Sequence, residues 1–312
     1  MRGVGIIEFG GPEALQLVDL PEEHAGAGQV RVRVHAATVN PTDTYLRNGS
    51  RAAMLKDVPP PHVPGMDAAG VIDEVGPGTS TDLKVGNAVF AMVVPNGSHG
   101  AYRESIVLSA DAVTRAPAGV GHVEASTLPM NGLTARQSLD QLALKPGQTV
   151  AVTGAAGAYG GYVVQLAKAD GLRVIADAAP ADEALVKGLG ADIVVPRGAD
   201  VAEQIRKVCP EGVDGLADGS FQSEQAVGAV RDGGAFASVR GWAGTGERGI
   251  TFHRTSVRDY DHRADLLAGL REHVESGAVT LRVAATYPPE QAAEAHRRIE
   301  AHGVRGRLVI TF

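Results

Sequence analysis

A chain of 312 residues with 44% hydrophobic content is long enough for one large core or two. Its 29 Lys and Arg against 36 Asp and Glu leave a net charge of −7, and the basic residues are dispersed along the chain without a basic run, which excludes the electrostatic footprint of a nucleic-acid or anionic-membrane binder. The single cysteine, Cys209, excludes an intrachain disulfide and every multi-cysteine zinc site; with no apolar signal core in Met1–Glu8 and no apolar run long enough to cross a bilayer, a cytoplasmic location is expected.

In chain order, residues 1–120 read as a mostly β domain. Val30-Arg31-Val32-Arg33-Val34-His35 alternates as a half-buried strand does, and Gly, Pro and Asn punctuate short segments throughout. The pattern then changes. Residues 121–255 alternate short apolar strands with helices, the order that builds a doubly wound parallel sheet. Six strands are expected near 149–153, 172–177, 192–195, 213–217, 235–239 and 250–252, with helices over Asp182 to Leu189, closed by Gly190, and Val201 to Val208, stopped by Pro210. Residues 256–312 carry a helix over Asp259 to Ser276, an apolar segment Leu281 to Ala285, a helix over Pro289 to His302 and a last strand Arg307 to Thr311.

The first of the six strands runs into Gly154-Ala155-Ala156-Gly157-Ala158-Tyr159-Gly160-Gly161, with a helix beginning near Tyr159. This is a dinucleotide-binding turn. Gly157 lets a pyrophosphate approach the backbone, Gly160 permits close helix-to-strand packing, and the helix N-terminus offers N–H groups to phosphate. Ala155 stands where the first glycine of G-x-G-x-x-G is expected, so the motif acquires its meaning from its context.

That context comes from Val39-Asn40-Pro41-Thr42-Asp43-Thr44-Tyr45-Leu46-Arg47-Asn48-Gly49, Pro64-Gly65-Met66-Asp67-Ala68-Ala69-Gly70-Val71-Ile72-Asp73-Glu74-Val75-Gly76, Val85-Gly86-Asn87-Ala88-Val89, Gly100-Ala101-Tyr102, Asn131-Gly132-Leu133-Thr134-Ala135 and Val304-Arg305-Gly306-Arg307. In this order, with the glycine turn among them, they resemble the zinc-independent medium-chain dehydrogenases/reductases over essentially the whole chain. More narrowly, the chain is similar to the NADPH:quinone oxidoreductases, or ζ-crystallin-like proteins. The resemblance implies an α/β fold in two domains: a GroES-like, mostly β catalytic domain of residues 1–120 and 256–312, and a Rossmann domain of residues 121–255, with the active site in the cleft between them. It also implies a homodimer through the sixth strand.

The zinc-dependent branch of that family places Cys and His ligands where this chain has Pro41-Thr42-Asp43 and Gly65-Met66-Asp67. No metal is therefore expected, and His35, His62 and His99 are too widely spaced to replace those ligands. Without a Lewis acid, simple alcohol oxidation is disfavoured. Hydride delivery to a quinone or an α,β-unsaturated carbonyl is easier, because hydrogen-bond donors can stabilise the enolate-like or hydroquinone oxygen.

The resemblance implies that Asn40, Asp43 and Tyr45 face the nicotinamide and substrate. Tyr45 is the preferred donor, since an ionised aspartate only accepts. Asn40 to Asp43 can equally be a turn and helix cap. Met66 and Trp242 are assigned to the substrate pocket. Thr134, the turn residues Ala155, Ala156, Gly157, Ala158, Tyr159 and Gly160, the strand-end residues Val239, Arg240 and Gly241, and Arg307 are assigned to the cofactor. Arg240 is unusual there, and either narrows the pocket, binds an anionic substrate or makes a structural ion pair.

For the ribose, Asp177 is in range to select NAD, but alignment with the family puts Ala178 at the discriminating position. Arg197 supplies a positive charge for a 2′-phosphate. NADPH is favoured and NADH stays open. Two alternatives to quinone or enone reduction remain: a tailoring oxidoreductase of secondary metabolism with one specific substrate, and a cofactor-binding protein without catalysis.

Overall fold

The chain begins with an antiparallel pair, β1 (Arg2–Ile6) and β2 (Leu15–Asp19), and then enters β3 (Gln29–Thr38). The alternation in β3 buries Val30, Val32 and Val34 at 0, 1 and 2% exposure, and beyond Ala36 both of its faces are covered. A full valine burial stabilises by about 1.5–3 kcal/mol. Next come α1 (Pro41–Arg47), β4 (Asp67–Val75), β5 (Ala88–Met92), β6 (Ser105–Ser109), β7 (Val113–Arg115) and the short α2 (His122–Ala125).

The middle of the chain is α3 (Pro129–Leu142), β8 (Thr149–Thr153), α4 (Ala158–Ala169), β9 (Arg173–Ala178), α5 (Glu183–Gly188), β10 (Ile193–Pro196), α6 (Val201–Val208), β11 (Val213–Asp218), α7 (Glu224–Val227), β12 (Val230–Ser238) and β13 (Thr251–Arg254). Its six strands form one parallel sheet in the order β10-β9-β8-β11-β12-β13. Counted from β8 this is 3-2-1-4-5-6, the doubly wound order whose switch point lies at the carboxyl end of its first strand, beside the glycine turn.

The chain ends with α8 (Ala264–Glu275), β14 (Val283–Tyr287), α9 (Ala292–Glu300) and β15 (Arg307–Thr311). These close the first sheet, ordered β14-β15-β3-β4-β5-β7 with β6 also paired to β3. The antiparallel pairing of β15 with β3 explains why the last strand does not continue the nucleotide sheet.

The computed structural model describes residues 1–312. They fall into two compact units: Met1–Met130, Asp261–Glu275 and Thr280–Phe312 form one, and Asn131–Tyr260 with Ser276–Val279 the other. Most expected elements are present within two residues of their expected bounds, with three differences. The strand expected at 235–239 begins at Val230, because the β11–β12 pairing is interrupted by a bulge and resumes at Ala235. The helix expected over 259–276 is a 3-10 turn, Val257–Tyr260, followed by α8; His262, at φ 59°, separates them. The helix expected over 289–302 opens as a 3-10 turn, Pro289–Gln291, before α9.

Candidate active site and dinucleotide turn

Asn40 precedes α1, Pro41 occupies the first helical position, and the Asp43 carboxylate turns back to accept from the Asn40 N–H at 2.8 Å. This is the acidic half of a capping box, so the Asn-Pro-Thr-Asp run does form a cap. Asn40 is 0% exposed and every polar atom of its side chain is engaged: Nδ2 donates to Asp67 Oδ2 at 2.7 Å and to the Thr38 carbonyl at 3.2 Å, while Oδ1 accepts from Arg307 at 2.5 Å.

Asp67 also takes the Met130 N–H at 2.6 Å on Oδ1 and the Arg307 guanidinium at 3.2 Å on Oδ2. Burial pushes the Asp67 carboxyl up, while Arg307, Asn40 and the Met130 N–H pull it down. Arg307, 4% exposed, was expected at the cofactor; its Nη2 is instead committed to Asp67 and Asn40, and its Nε is buried without a partner.

Asp43 is 2% exposed and joins three segments. Besides Asn40, it accepts from the Gly65 N–H at 3.1 Å and from the Tyr102 hydroxyl at 3.1 Å. Burial pushes its carboxyl up to about 7 against these three donors. Gly65 is obligatory in this turn: at φ 103°, a Cβ would lie 2.5 Å from the Tyr102 ring. Met66, next in sequence, is buried, and its Sδ accepts from Thr42 Oγ1 at 3.2 Å. Tyr45 is half-buried on α1, with the Arg51 guanidinium 6.0 Å from its ring centre. No three His, Cys, Asp or Glu side chains converge as a metal-binding group.

In the nucleotide sheet, β8 ends at Thr153 and Gly157 caps α4. A Cβ on Gly160 would lie 2.4 Å from the Gly154 carbonyl oxygen and 2.8 Å from Ala155 Cα, so only glycine lets the helix approach the turn this closely. Ala155 is 0% and Ala156 8% exposed, while Gly157 and Ala158 are half-buried.

Asp177, at the end of β9, holds the turn from the side. Its Oδ1 accepts from the Gly154 N–H at 2.7 Å and the Ala155 N–H at 3.2 Å. Its Oδ2 is buried without a partner, and burial pushes the carboxyl up, with Arg197 among the groups pulling it down. Arg197 is exposed after β10, with its N–H on the Ala178 carbonyl at 2.9 Å. Asp177, Ala178 and Arg197 therefore share one corner of the sheet.

Sequence reasoning missed the neighbouring strand ends. Asp218, ending β11, accepts from Thr153 Oγ1 at 2.6 Å and from the N–H groups of Ser220, Gln222 and Ser223 at 3.2, 3.1 and 2.8 Å, folding the following loop around one carboxylate. Ser220 Oγ in that loop and Ser238 Oγ at the end of β12 are buried without partners. With Asp177 Oδ2, they form a row of unsatisfied polar atoms at the carboxyl ends of β9, β11 and β12, where an open α/β sheet receives its ligand. The residues present thus fit a dinucleotide. The available signal was the polar residue closing each apolar strand: Asp177, Asp218 and Ser238.

The other expected cofactor residues are more dispersed. Thr134 is 8% exposed on α3, and its carbonyl accepts from Ser138 Oγ at 3.0 Å. Tyr159 is 9% exposed and donates to the same Oγ at 2.7 Å; burial pushes its phenol well up. Val239 is half-buried and Gly241 exposed. The exposed Arg240 guanidinium lies 3.7 Å from the centre of the Phe221 ring, a cation–π contact. Trp242 packs edge-on against Phe236 and Phe252, with ring centres 5.2 and 5.3 Å away.

Comparison with known proteins gives two family matches along the chain. Residues 26–118 match the alcohol dehydrogenase GroES-like domain, and residues 189–310 the zinc-binding dehydrogenase family. The chain is 30% identical over 337 residues to the quinone oxidoreductase of Homo sapiens, covering 99% of this chain and 97% of that protein. It is 29% identical to the chloroplastic NADPH-dependent alkenal/one oxidoreductase of Arabidopsis thaliana, covering 97% of this chain and 77% of that one. A mycobacterial protein solved with NADPH has a TM-score of 0.86 at 27% identity, with both chains fully covered. No helix is long and apolar enough to cross a membrane. With both family matches and the full-length human relative in hand, the chain belongs to the quinone oxidoreductase branch of the medium-chain dehydrogenases/reductases, oxidoreductases that work with a nicotinamide cofactor.

Proposed function

We propose that this chain is an NADPH-dependent reductase of quinones or α,β-unsaturated carbonyls that works without a metal. The observation that carries the reading is the donor set at the family's metal positions. Pro41 has no side-chain donor, Thr42 and Met66 are hydrogen-bonded to each other, and the Asp43 and Asp67 carboxylates each already take three protein donors. No thiolate or imidazole stands there, so zinc has no ligand set to enter.

When bound, the nicotinamide supplies a hydride. The chain's own residues do the rest. On this reading residues 121–255 bind the dinucleotide: the turn from Ala155 to Gly160 takes the pyrophosphate on the α4 N-terminus, Ser220 and Ser238 offer hydroxyls, and Arg197 takes the 2′-phosphate. Residues 1–120 with 256–312 supply the catalytic side, where Tyr45 donates a hydrogen bond to the substrate oxygen as negative charge develops. Asn40 and Asp43 position Tyr45. The protein is a cytoplasmic homodimer joined through β13, the edge strand of its sheet.

The test is a titration with NADPH and NADH separately, followed by oxidation of the tighter binder with quinones and enones, with and without a chelator. Turnover indifferent to the chelator, and reduced about tenfold or more in kcat by Tyr45→Phe, is expected. Failure of both nucleotides to bind sinks the reading. Turnover of a single elaborate substrate would move it to a tailoring oxidoreductase.

A further inference from the structure

A line of buried hydrogen bonds leads away from Asp43. Tyr102, 0% exposed, donates to Asp43 and lies 3.3 Å from His296 Nε2. His296, on α9 and also 0% exposed, has its Nδ1 3.3 Å from an Arg47 Nη. Arg47, at the end of α1 and 3% exposed, is held by Glu300 at 2.6 Å and donates from Nε to the Gly10 carbonyl at 3.2 Å.

The line has one polarity. A guanidinium only donates, so Nδ1 of His296 accepts from Arg47. A neutral imidazole then carries its proton on Nε2, which donates to the Tyr102 oxygen and leaves the phenol proton for Asp43. Burial and the Arg47 charge push His296 down to about 3, which keeps the ring neutral at physiological pH. The same polarity rules out a proton wire. Passing the Nε2 proton on would leave an anionic ring unless Nδ1 gained a proton, and Nδ1 faces a guanidinium.

We propose that Tyr102 and His296 are positioning residues: they act through Asp43, holding the orientation of its carboxyl, so that the start of α1 and the Gly65–Met66 turn stay tied in one geometry. The proposal rests on the reading above, in which Tyr45 on α1 and Met66 in that turn meet the substrate. The charged and titratable groups facing Asp43 are Tyr102 and His296, then Arg47 and Glu300 behind them, and Asp67 with Arg307 from β4 and β15.

Three variants separate this role from packing. His296→Gln keeps an N–H donor where Nε2 was; His296→Asn reaches only the Nδ1 side; Tyr102→Phe removes the hydroxyl. Tyr102→Phe and His296→Asn are expected to lower kcat about tenfold with nucleotide KM within about twofold, and the double variant to be no worse than Tyr102→Phe. His296→Gln is expected to rescue kcat to within about threefold. Equal losses in Gln and Asn, or an unchanged kcat in Tyr102→Phe, overturn the proposal.

Independently of turnover, nitrogen NMR of labelled histidine should show His296 neutral with its proton on Nε2 down to about pH 5; a proton on Nδ1 there refutes the polarity. If the wild type oxidises neither nucleotide with any acceptor, the functional reading fails by itself. The Asp43 carboxyl resonance then decides: in Tyr102→Phe it should titrate about one pH unit higher, and no shift overturns the brace.

Discussion

Two buried polar clusters of this molecule are built on opposite principles. Around α1, Asp43 and Asp67 each take three donors and Asn40 uses every polar atom, leaving only Arg307 Nε unpartnered. Along the strand ends of the nucleotide sheet, Asp177 Oδ2, Ser220 Oγ and Ser238 Oγ are all buried and unpartnered. An unsatisfied buried polar group costs about 1–3 kcal/mol, so the second cluster carries three such costs that a ligand's polar groups can relieve, while the first carries one, at Arg307 Nε. A saturated cluster holds geometry. An unsaturated one receives a partner.

The sharpest way to break that contrast is to change one aspartate in each cluster to asparagine. In Asp67→Asn an amide N–H must face one of three donors, and Arg307 loses its buried counter-charge. A loss of about 3–5 kcal/mol is expected in urea unfolding. In Asp177→Asn the oxygen can keep both backbone N–H groups while the amide nitrogen takes the unpartnered Oδ2 position, so a change within about 1 kcal/mol is expected. Similar losses in the two variants would erase the distinction.

The glycine turn is tested next. In Gly160→Ala the new methyl meets the Gly154 carbonyl oxygen and Ala155 Cα, so the turn or the helix must shift. A loss of about 1–3 kcal/mol in stability is expected, with nucleotide Kd weakened about tenfold or more by fluorescence titration. Unchanged binding with lowered stability would detach the turn from the cofactor.

How much of this was legible follows from the range of the interactions. The six parallel strands and the turn were readable because apolar strand runs, helix stops and Gly160 are local signals. The capping role of Asn40 and Asp43 was readable as an alternative, since the two lie three residues apart. The pairing of Arg307 with Asp67 was not readable, because the two lie 240 residues apart and nothing local reveals the pair. Tyr102 and His296 were invisible as a unit for the same reason, 194 residues apart, although Tyr102 stood in a segment the family resemblance had marked.

A smaller effect bears on which ribose the unsaturated cluster receives. Arg197 is exposed beside Asp177 and Ala178, where it adds charge without filling any core. Arg197→Ala should therefore leave stability within about 0.5 kcal/mol. It should weaken NADPH about tenfold while leaving NADH unchanged, because only the former carries the 2′-phosphate. Equal weakening of both nucleotides would move Arg197 to the pyrophosphate, and no weakening would leave the ribose choice to Asp177.

The smallest expected effect lies within the saturated cluster, where two buried titrations oppose each other. His296 sits at about 3 in the folded chain against 6.5 unfolded, so below about pH 6.5 the unfolded state takes a proton the native state refuses, and stability falls on acidification. Asp43 sits at about 7 against 3.8, so between those values the native state keeps a proton the unfolded state releases, and stability falls as pH rises. Each slope approaches about 1.4 kcal/mol per pH unit, and from about pH 4 to 6.5 they cancel. Urea unfolding across that range should show the wild-type contribution of this pair flat to within about 1 kcal/mol. Asp43→Asn removes one slope and should make the protein lose stability towards acid more steeply than the wild type. His296→Gln removes the other and should do the reverse. Because every other titrating group is common to the three proteins, the differences isolate the pair, and parallel pH profiles in all three would show that Asp43 and His296 do not titrate against each other as this buried line requires.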